Sequence, residues 1–306
     1  MKPRAFKQVD VFTDQAYFGN PLAVVMDGTG LDDAAMQRFA AWTNLSETTF
    51  LLPPTDASAD YRVRIFTPGG ELPFAGHPTL GSCHSWLQVG GQPRSKDFIV
   101  QECKQGLVRI RREAGTQRLA FAAPPVKRSA PSPTLLAQVA AALGLKATQI
   151  QAAQLLDNGP VWLGLLLDSA DTVLQLRPDH RVLDQLKVNV GIAGSYAAEN
   201  AALISRANRE ARAFSVERPP RTSSAPDIEV RVFVPVMGVN EDPVTGAFNA
   251  ALAQWLIADG HAPERYRASQ GVCMGRAGQV YLERDASGQV WVGGETVTCI
   301  DGSVTL

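Results

Sequence analysis

The chain has 306 residues, of which 45% are apolar and 19% charged, and its formal net charge is −1 at pH 7. This is ordinary globular composition with enough length for two cores, and the near-neutral charge gives no basic surface for nucleic acid or an anionic membrane. The first residues contain no apolar core of signal-peptide length, and no apolar run is long enough to span a bilayer, so we expect a cytoplasmic protein without membrane or nucleic-acid partners.

The first part of the chain predicts several strands and one helix. Residues 7–14 alternate apolar and polar side chains, and a turn signal at 19–21 precedes an apolar run. Apolar residues recur at helical spacing over 31–43, which predicts a helix. The segments 48–54 and 61–68 then predict strands, the second with one buried face.

A repeat of strand, loop and helix is the most informative pattern in the sequence. Residues 63–76 (VRIFTPGGELPFAG) and 230–246 (VRVFVPVMGVNEDPVTG) share Val-Arg-(Ile/Val)-Phe, a proline, and Glu-x-Pro-x-x-Gly. An apolar run follows each copy, at 78–88 and 248–259, and the absence of a polar face predicts two buried helices. A duplication of this length predicts two similar halves with the binding site in the cleft between them.

Proline-rich residues 122–134 predict the linker between these halves. We therefore expect an N-terminal half over 1–125 and a C-terminal half over 126–295. The closing residues 291–306 predict short strands, and the last of them, about 296–306, could join the N-terminal half, although the sequence does not show which half it joins.

Cysteine and histidine spacings favour neither a disulfide framework nor a metal site. The four cysteines are scattered without a Cys-x-x-Cys pair, and the four histidines lack metal-ligand spacing. We expect free thiols and no bound metal.

Each copy of the repeat places a glycine at the start of its buried helix, Gly76 in the first and Gly246 in the second. Backbone N–H groups in a first helical turn lack intrahelical acceptors, the helix dipole favours negative charge, and glycine permits close approach. Two such helix ends facing each other would bind an anionic group from both sides. The alternative is that both glycines serve only tight turns.

Three ionisable residues are candidates for proton transfer. Glu47 lies between Ser46 and two threonines, and a half-buried carboxylate beside hydroxyl donors suits this chemistry, although the pair could equally form only a turn at a helix end. Asp242 could bind an ammonium group or assist proton transfer, or only start a turn before Pro243. His77, at a helix N-terminus, is expected to be neutral; a lone histidine is otherwise typical of a satisfied turn.

Several of these segments resemble the signature blocks of the PhzF-like phenazine-biosynthesis isomerase family, across essentially the whole chain. They are GNPLAVV at 19–25, NLSETTF at 44–50, VRIFTP at 63–68, ELPFAGHPTLG at 71–81, NEDPVTG at 240–246 and QGVCMGR at 270–276. The resemblance implies an α+β, diaminopimelate-epimerase-like fold, in which two pseudo-symmetric domains each curl a β-sheet around a central helix. It also implies a homodimer that uses no organic cofactor and no metal.

Carried over by motif, the resemblance implies that Glu47 is the catalytic acid/base, with His77 and Asp242 in the same pocket. Glu47 would remove a proton from an activated carbon of a small amino-acid-like or cyclic carboxylate substrate and return it at another position. The expected substrate contacts are Ser46, Gly76, Gly246, Ala247 and Phe248.

The chain departs from the family pattern in two places. Related epimerases and racemases have a cysteine at each helix start, which is missing here, so thiol-based racemisation is not expected. Many family members follow the second Thr-Gly with serine, whereas this chain has Ala247, which removes a hydroxyl contact, and then Phe248, which would narrow the pocket.

Two other functions remain as alternatives. A hydrolase could use Ser46, His77 and Asp242, but no Gly-x-Ser-x-Gly elbow is present. A catalytically silent small-molecule-binding or interaction protein on the same fold is the stronger alternative, because of Ala247.

Overall fold

The computed structural model describes residues 1–113, 115–196 and 225–306. The chain divides into two compact units. The first comprises Met1–Pro125, Pro243–Arg265 and Gln270–Leu306, and the second comprises Val126–Asp242 and Tyr266–Ser269. The two-half domain organisation expected from the sequence stays a prediction.

The described elements follow one another along the chain in a mixed α/β order. They are β1 (Pro3–Val11), β2 (Asn20–Val25), α1 (Asp33–Thr43), β3 (Glu47–Leu52), β4 (Tyr61–Thr67), β5 (Gly70–Leu72), α2 (Gly76–Gln88), β6 (Ile99–Cys103), β7 (Gly106–Arg112), β8 (Leu119–Ala122), β9 (Lys127–Ser129), α3 (Pro133–Leu143), β10 (Ile150–Asp157), β11 (Val161–Leu167), α4 (Ala170–Gln175), α5 (His180–Leu186), β12 (Asn189–Ser195), β13 (Ile228–Phe233), α6 (Gly246–Ala258), β14 (Arg265–Gln270), β15 (Gly278–Arg284), β16 (Val290–Gly294) and β17 (Thr296–Thr305).

In the first unit, one run of paired strands surrounds a buried helix. The pairing order is β17–β1–β2–β3–β4–β6–β7–β8–β16–β15, with β2–β3 and β4–β6 parallel and the other pairs antiparallel. Helix α2 packs against β1, β2, β3, β8 and β17. The closing residues form the end of β16 and the strand β17, and β17 pairs with β1 from Pro3–Thr305 to Val11–Thr296.

Both helices of the sequence repeat are buried, as their composition predicts, and both lie in the first unit. Helix α6 packs against β15, β16 and α2. Each helix begins at the glycine that ends the shared motif, two residues before the run of mainly small and apolar residues. The glycines are therefore helical residues at the N-terminus of each helix.

The second unit is a smaller sheet covered by short helices. Its strands pair in the order β9–β10–β11–β12–β13, with only β11–β12 parallel. Its core includes Val139 of α3, Leu165 of β11, Ile192 of β12 and Phe233 of β13, all at 0% exposure. Across the described ranges of both units, none of the helices combines the length and the apolar character that a membrane span requires.

Candidate active site

A tight turn and a parallel strand pairing place Glu47. Helix α1 ends at Thr43, and its C-cap Asn44 adopts a left-handed conformation with φ 56°, which turns the chain toward β3. Glu47 opens β3 and pairs with Leu22 of the parallel strand β2. Its side chain is 12% exposed, and Ser46 lies half-buried in the preceding turn. The carboxyl group is thus fixed at a strand end, close to the start of β2.

His77, the second residue of α2, lies beside this carboxyl group. Its Nε2 is 3.4 Å from Glu47 Oε2, and its side chain is 5% exposed. Burial lowers the pKa of His77 to about 3, against the opposing effect of a backbone hydrogen bond with Pro21. His77 is therefore neutral near pH 7, as expected from the sequence, although burial rather than the helix dipole is the main cause.

The hydrogen bond with Pro21 fixes which ring nitrogen carries the proton. Proline has no backbone N–H, so its carbonyl must accept from the imidazole. Nε2 makes no hydrogen bond of its own, so Nδ1 is the donor and Nε2 presents a lone pair toward Glu47. Two acceptors facing each other attract only when a proton lies between them. At 3.4 Å, the geometry would allow one proton to lie between the two side chains.

The two repeat helices meet at their glycines. A Cβ atom added to Gly76 would lie 3.0 Å from Gly246 Cα and 2.9 Å from Phe121 Cζ. A Cβ atom added to Gly246 would lie 3.1 Å from Gly76 Cα and 3.2 Å from Phe12 Cζ. Only glycine permits this backbone contact. The N-termini of α2 and α6, each with first-turn N–H groups and a positive dipole end, thus converge beside His77.

A buried hydrogen-bond network holds the turn before α6. Gln270 accepts from the Thr245 backbone N–H at 3.0 Å and donates to Thr245 Oγ1 at 2.9 Å. Asn20 donates to the Val244 carbonyl at 2.9 Å, and Asn20 is the residue before Pro21, the partner of His77. The network therefore joins the turn of the second copy to the strand that supports His77.

The remaining candidate residues occupy different settings. Ala247 is half-buried and Phe248 is 0% exposed, so the aromatic ring belongs to the interior of the first unit. Asp242 ends the longer segment of the second unit and is half-buried, and its backbone N–H donates to the Val232 carbonyl at 2.9 Å. The roles predicted for these three residues stay predictions.

The sequence reasoning did not identify Pro21 and Gln270 as site residues. Both lie in segments that carried the family resemblance, GNPLAVV and QGVCMGR, so a signal was present but pointed to no role. In the described part of the chain, no group of three or more histidine, cysteine or acidic side chains is placed to hold a metal ion.

Comparison with known proteins agrees with this fold. The model of the phenazine biosynthesis-like protein family (PhzC-PhzF) matches residues 9–302. The chain is 34% identical over 319 residues to antisense-enhancing sequence 1 of Schizosaccharomyces pombe, covering 99% of each protein. It is 32% identical to trans-2,3-dihydro-3-hydroxyanthranilate isomerase of Pseudomonas aeruginosa, covering 92% of this chain and 90% of that one.

A solved structure of a predicted epimerase from Pseudomonas aeruginosa superposes with a TM-score of 0.74 at 25% identity, covering 99% of each chain. The fold is accordingly α+β and diaminopimelate-epimerase-like, with a large curled sheet and helices, as solved epimerases have. Relatives that are named isomerases match over nearly the full length. The chain therefore belongs to the phenazine biosynthesis-like (PhzC-PhzF) protein family, and it is an isomerase of that family.

Proposed function

We propose that this protein moves a proton between two positions of a small cyclic or amino-acid-like carboxylate, with Glu47 as the general acid/base and without a cofactor. The observation that carries the proposal is the contact between Glu47 Oε2 and neutral His77 Nε2 at 3.4 Å, directly beside the converging helix ends at Gly76 and Gly246. The proposed proton carrier thus lies next to the proposed anion-binding element.

The proposed reaction has two proton transfers that balance. Glu47, as carboxylate, removes a proton from a carbon atom activated by an adjacent carboxylate or double bond, and the electron pair delocalises into the substrate. The N-termini of α2 and α6 bind the substrate carboxylate and stabilise the developing negative charge. Glu47 then returns the same proton at another carbon atom, so the product is an isomer. The lone pair of His77 favours the intermediate state in which Glu47 is protonated.

Several further assignments form part of the proposal. Asp242 is a second acid/base group or a partner for a substrate ammonium group, and Ser46, Ala247 and Phe248 shape the substrate pocket. We further propose a cytoplasmic homodimer. The relative from Pseudomonas aeruginosa is named for a ring compound that carries carboxylate, amino and hydroxyl groups, and this class of compound is the first to test.

Proton transfer can be tested in deuterated water. Unmodified protein incubated with trans-2,3-dihydro-3-hydroxyanthranilate, related cyclic dienyl acids and amino acids should introduce deuterium at carbon, detected by NMR or mass spectrometry. Glu47→Gln should lose this exchange, whereas Glu264→Gln, which changes an exposed carboxylate, should retain it. Exchange that survives in Glu47→Gln contradicts the assigned base. Binding without exchange for every compound favours the catalytically silent alternative, which the replacement of serine by Ala247 supports.

A further inference from the structure

Gln270 makes three hydrogen bonds to the start of α6. Its side chain is 0% exposed, and its Oε1 accepts from the Thr245 backbone N–H at 3.0 Å and from Asn249 Nδ2 at 2.9 Å. Its Nε2 donates to Thr245 Oγ1 at 2.9 Å. A backbone N–H can only donate, so these contacts fix the orientation of the Gln270 amide.

These bonds converge on the residue that caps α6. Asn249 Nδ2 also donates to the Thr245 carbonyl at 3.0 Å, so the N–H, the hydroxyl and the carbonyl of Thr245 are all held. Thr245 directly precedes Gly246, whose lack of a side chain leaves the backbone intrinsically flexible. The network therefore restricts the one turn that sets the direction of the α6 N-terminus.

The first copy of the repeat is also followed by a buried glutamine, but this glutamine contacts a different part of its helix. Gln101 of β6 is 0% exposed, donates to Thr79 Oγ1 at 3.0 Å and accepts from Tyr61 Oη at 2.9 Å. Thr79 Oγ1 in turn donates to the Ala75 carbonyl at 2.9 Å. The capping residue Ala75 has no side-chain cap hydrogen bond. Gln101 therefore contacts the helix, whereas Gln270 contacts the cap residue itself.

We propose that Gln270 is a positioning residue, which fixes the first turn of α6 so that its amides meet the substrate carboxylate. This inference rests on the proposed function of that helix end. Gln101 is then the matched control, because it is an equally buried glutamine at a similar distance after the repeat and has no hydrogen bond to a capping residue. The two glutamines should differ in substrate affinity and not simply in stability.

The test compares Gln270→Leu with Gln101→Leu in two measurements on the full-length protein. The first is amide hydrogen exchange of Thr245 and Asn249, whose N–H groups are bonded to Gln270 and to the Thr245 carbonyl. Gln270→Leu should speed exchange of these amides about tenfold, the effect of losing roughly one net hydrogen bond. Gln101→Leu should leave them unchanged while lowering the unfolding midpoint.

The second measurement is the steady-state kinetics of trans-2,3-dihydro-3-hydroxyanthranilate isomerisation. Gln270→Leu should raise KM about tenfold with a smaller change in kcat, since the lost interaction orients bound substrate before proton transfer. Thr245→Val should produce part of this increase by removing one bond, and Thr245→Ser, which keeps the hydroxyl, should not. If Gln270→Leu does not fold, the Thr245 pair gives the same comparison.

Equal exchange rates and equal KM values in the two leucine variants would overturn the positioning role. If the unmodified protein does not turn over this compound, the proposed function fails for that substrate. The amide hydrogen exchange measurement needs no substrate, so by itself it then decides whether Gln270 fixes the first turn of α6.

Discussion

The two copies of the repeat build the same scaffold from the same residues. In the first, Arg64 Nε donates to Glu71 Oε1 at 2.7 Å, and its guanidinium lies 5.0 Å from the Phe66 ring centroid. In the second, Arg231 donates to Glu241 at 2.9 and 2.8 Å and lies 5.2 Å from the Phe233 centroid. The arginine, phenylalanine and glutamate of the shared pattern thus hold the loop that leads to each helix.

The copies differ in the residues around each helix start. Among the residues that the structure describes, only the first copy has a titratable pair beside its helix start, formed by Glu47 and His77. Only the second copy has a capping residue, Thr245, that a buried side-chain amide holds, that of Gln270. The second arginine is also more deeply buried and donates to the carbonyls of Val173 and Leu176. The comparison teaches that the shared residues maintain the backbone, while the proposed chemistry depends on residues that the two copies do not share.

The largest expected effect separates the two copies catalytically. Glu47→Gln removes the proposed proton carrier beside the first copy and should lower kcat about 10³-fold, whereas Asp242→Asn, in the second copy, should lower it about tenfold, because general acid–base groups typically contribute 10²–10⁴. Both are measured as the rate of deuterium incorporation into substrate. Equal losses in the two variants would mean that the copies share the chemistry and would contradict the assigned asymmetry.

The next prediction concerns the shared ion pairs. Arg231→Met should lower the free energy of unfolding by about 3 kcal/mol, because it leaves Glu241, with a side chain 11% exposed, without its charge partner. Arg64→Met should cost about 1 kcal/mol, since the Arg64 side chain is 23% exposed and that of Glu71 is 19% exposed. Urea unfolding measures both. Similar losses at the two sites would show that burial does not distinguish the scaffolds.

Much of this scaffold could be predicted from the sequence, because its signals are local. The absence of a polar face identified α2 and α6, and the repeated motif located Gly76 and Gly246 at their starts. The arginine and glutamate recur in both copies, so their pairing could also have been inferred. Each of these features can be detected from a short stretch of neighbouring residues in the sequence.

The arrangement of the site could not be predicted in the same way. Glu47, His77 and Pro21 come together because β2, β3 and α2 pack against one another, and no spacing in the sequence reports this packing. The backbone contact of Gly76 with Gly246 depends on residues 243–265 returning to the first unit. The hydrogen bonds of Gln270 likewise join segments that the chain separates.

The contact between the two helix starts gives a third prediction. Gly76→Ala and Gly246→Ala each introduce a methyl group about 3.0 Å from the opposite backbone, so each should lower the free energy of unfolding by about 2 kcal/mol through overpacking. Gly302→Ala is the control, because a Cβ atom there has no neighbour within 4 Å. Thermal or urea unfolding measures the differences.

Both glycine variants should also raise KM for a carboxylate substrate, because the helix ends that would bind it are pushed apart. A glycine variant as stable as Gly302→Ala would show that the two helix starts can separate freely. In that case the contact does not constrain the anion site, and the symmetry of the two glycines reflects duplication alone.

The last prediction is the pH dependence that His77 gives to one copy only. Burial holds the pKa of folded His77 at about 3, below its ordinary value of 6.5, so the unfolded chain binds more protons in this range. The stabilisation is fully present above pH 6.5 and is lost as pH falls toward 3, by up to about 1.4 kcal/mol per pH unit.

His77→Asn should therefore show a shallower loss of unfolding free energy between pH 6 and 4.5 than the unmodified protein. The difference between the slopes should approach one proton, since other titrating groups contribute equally to both proteins. Parallel slopes would mean that His77 binds protons alike in the folded and unfolded chain, and that burial does not hold its pKa low.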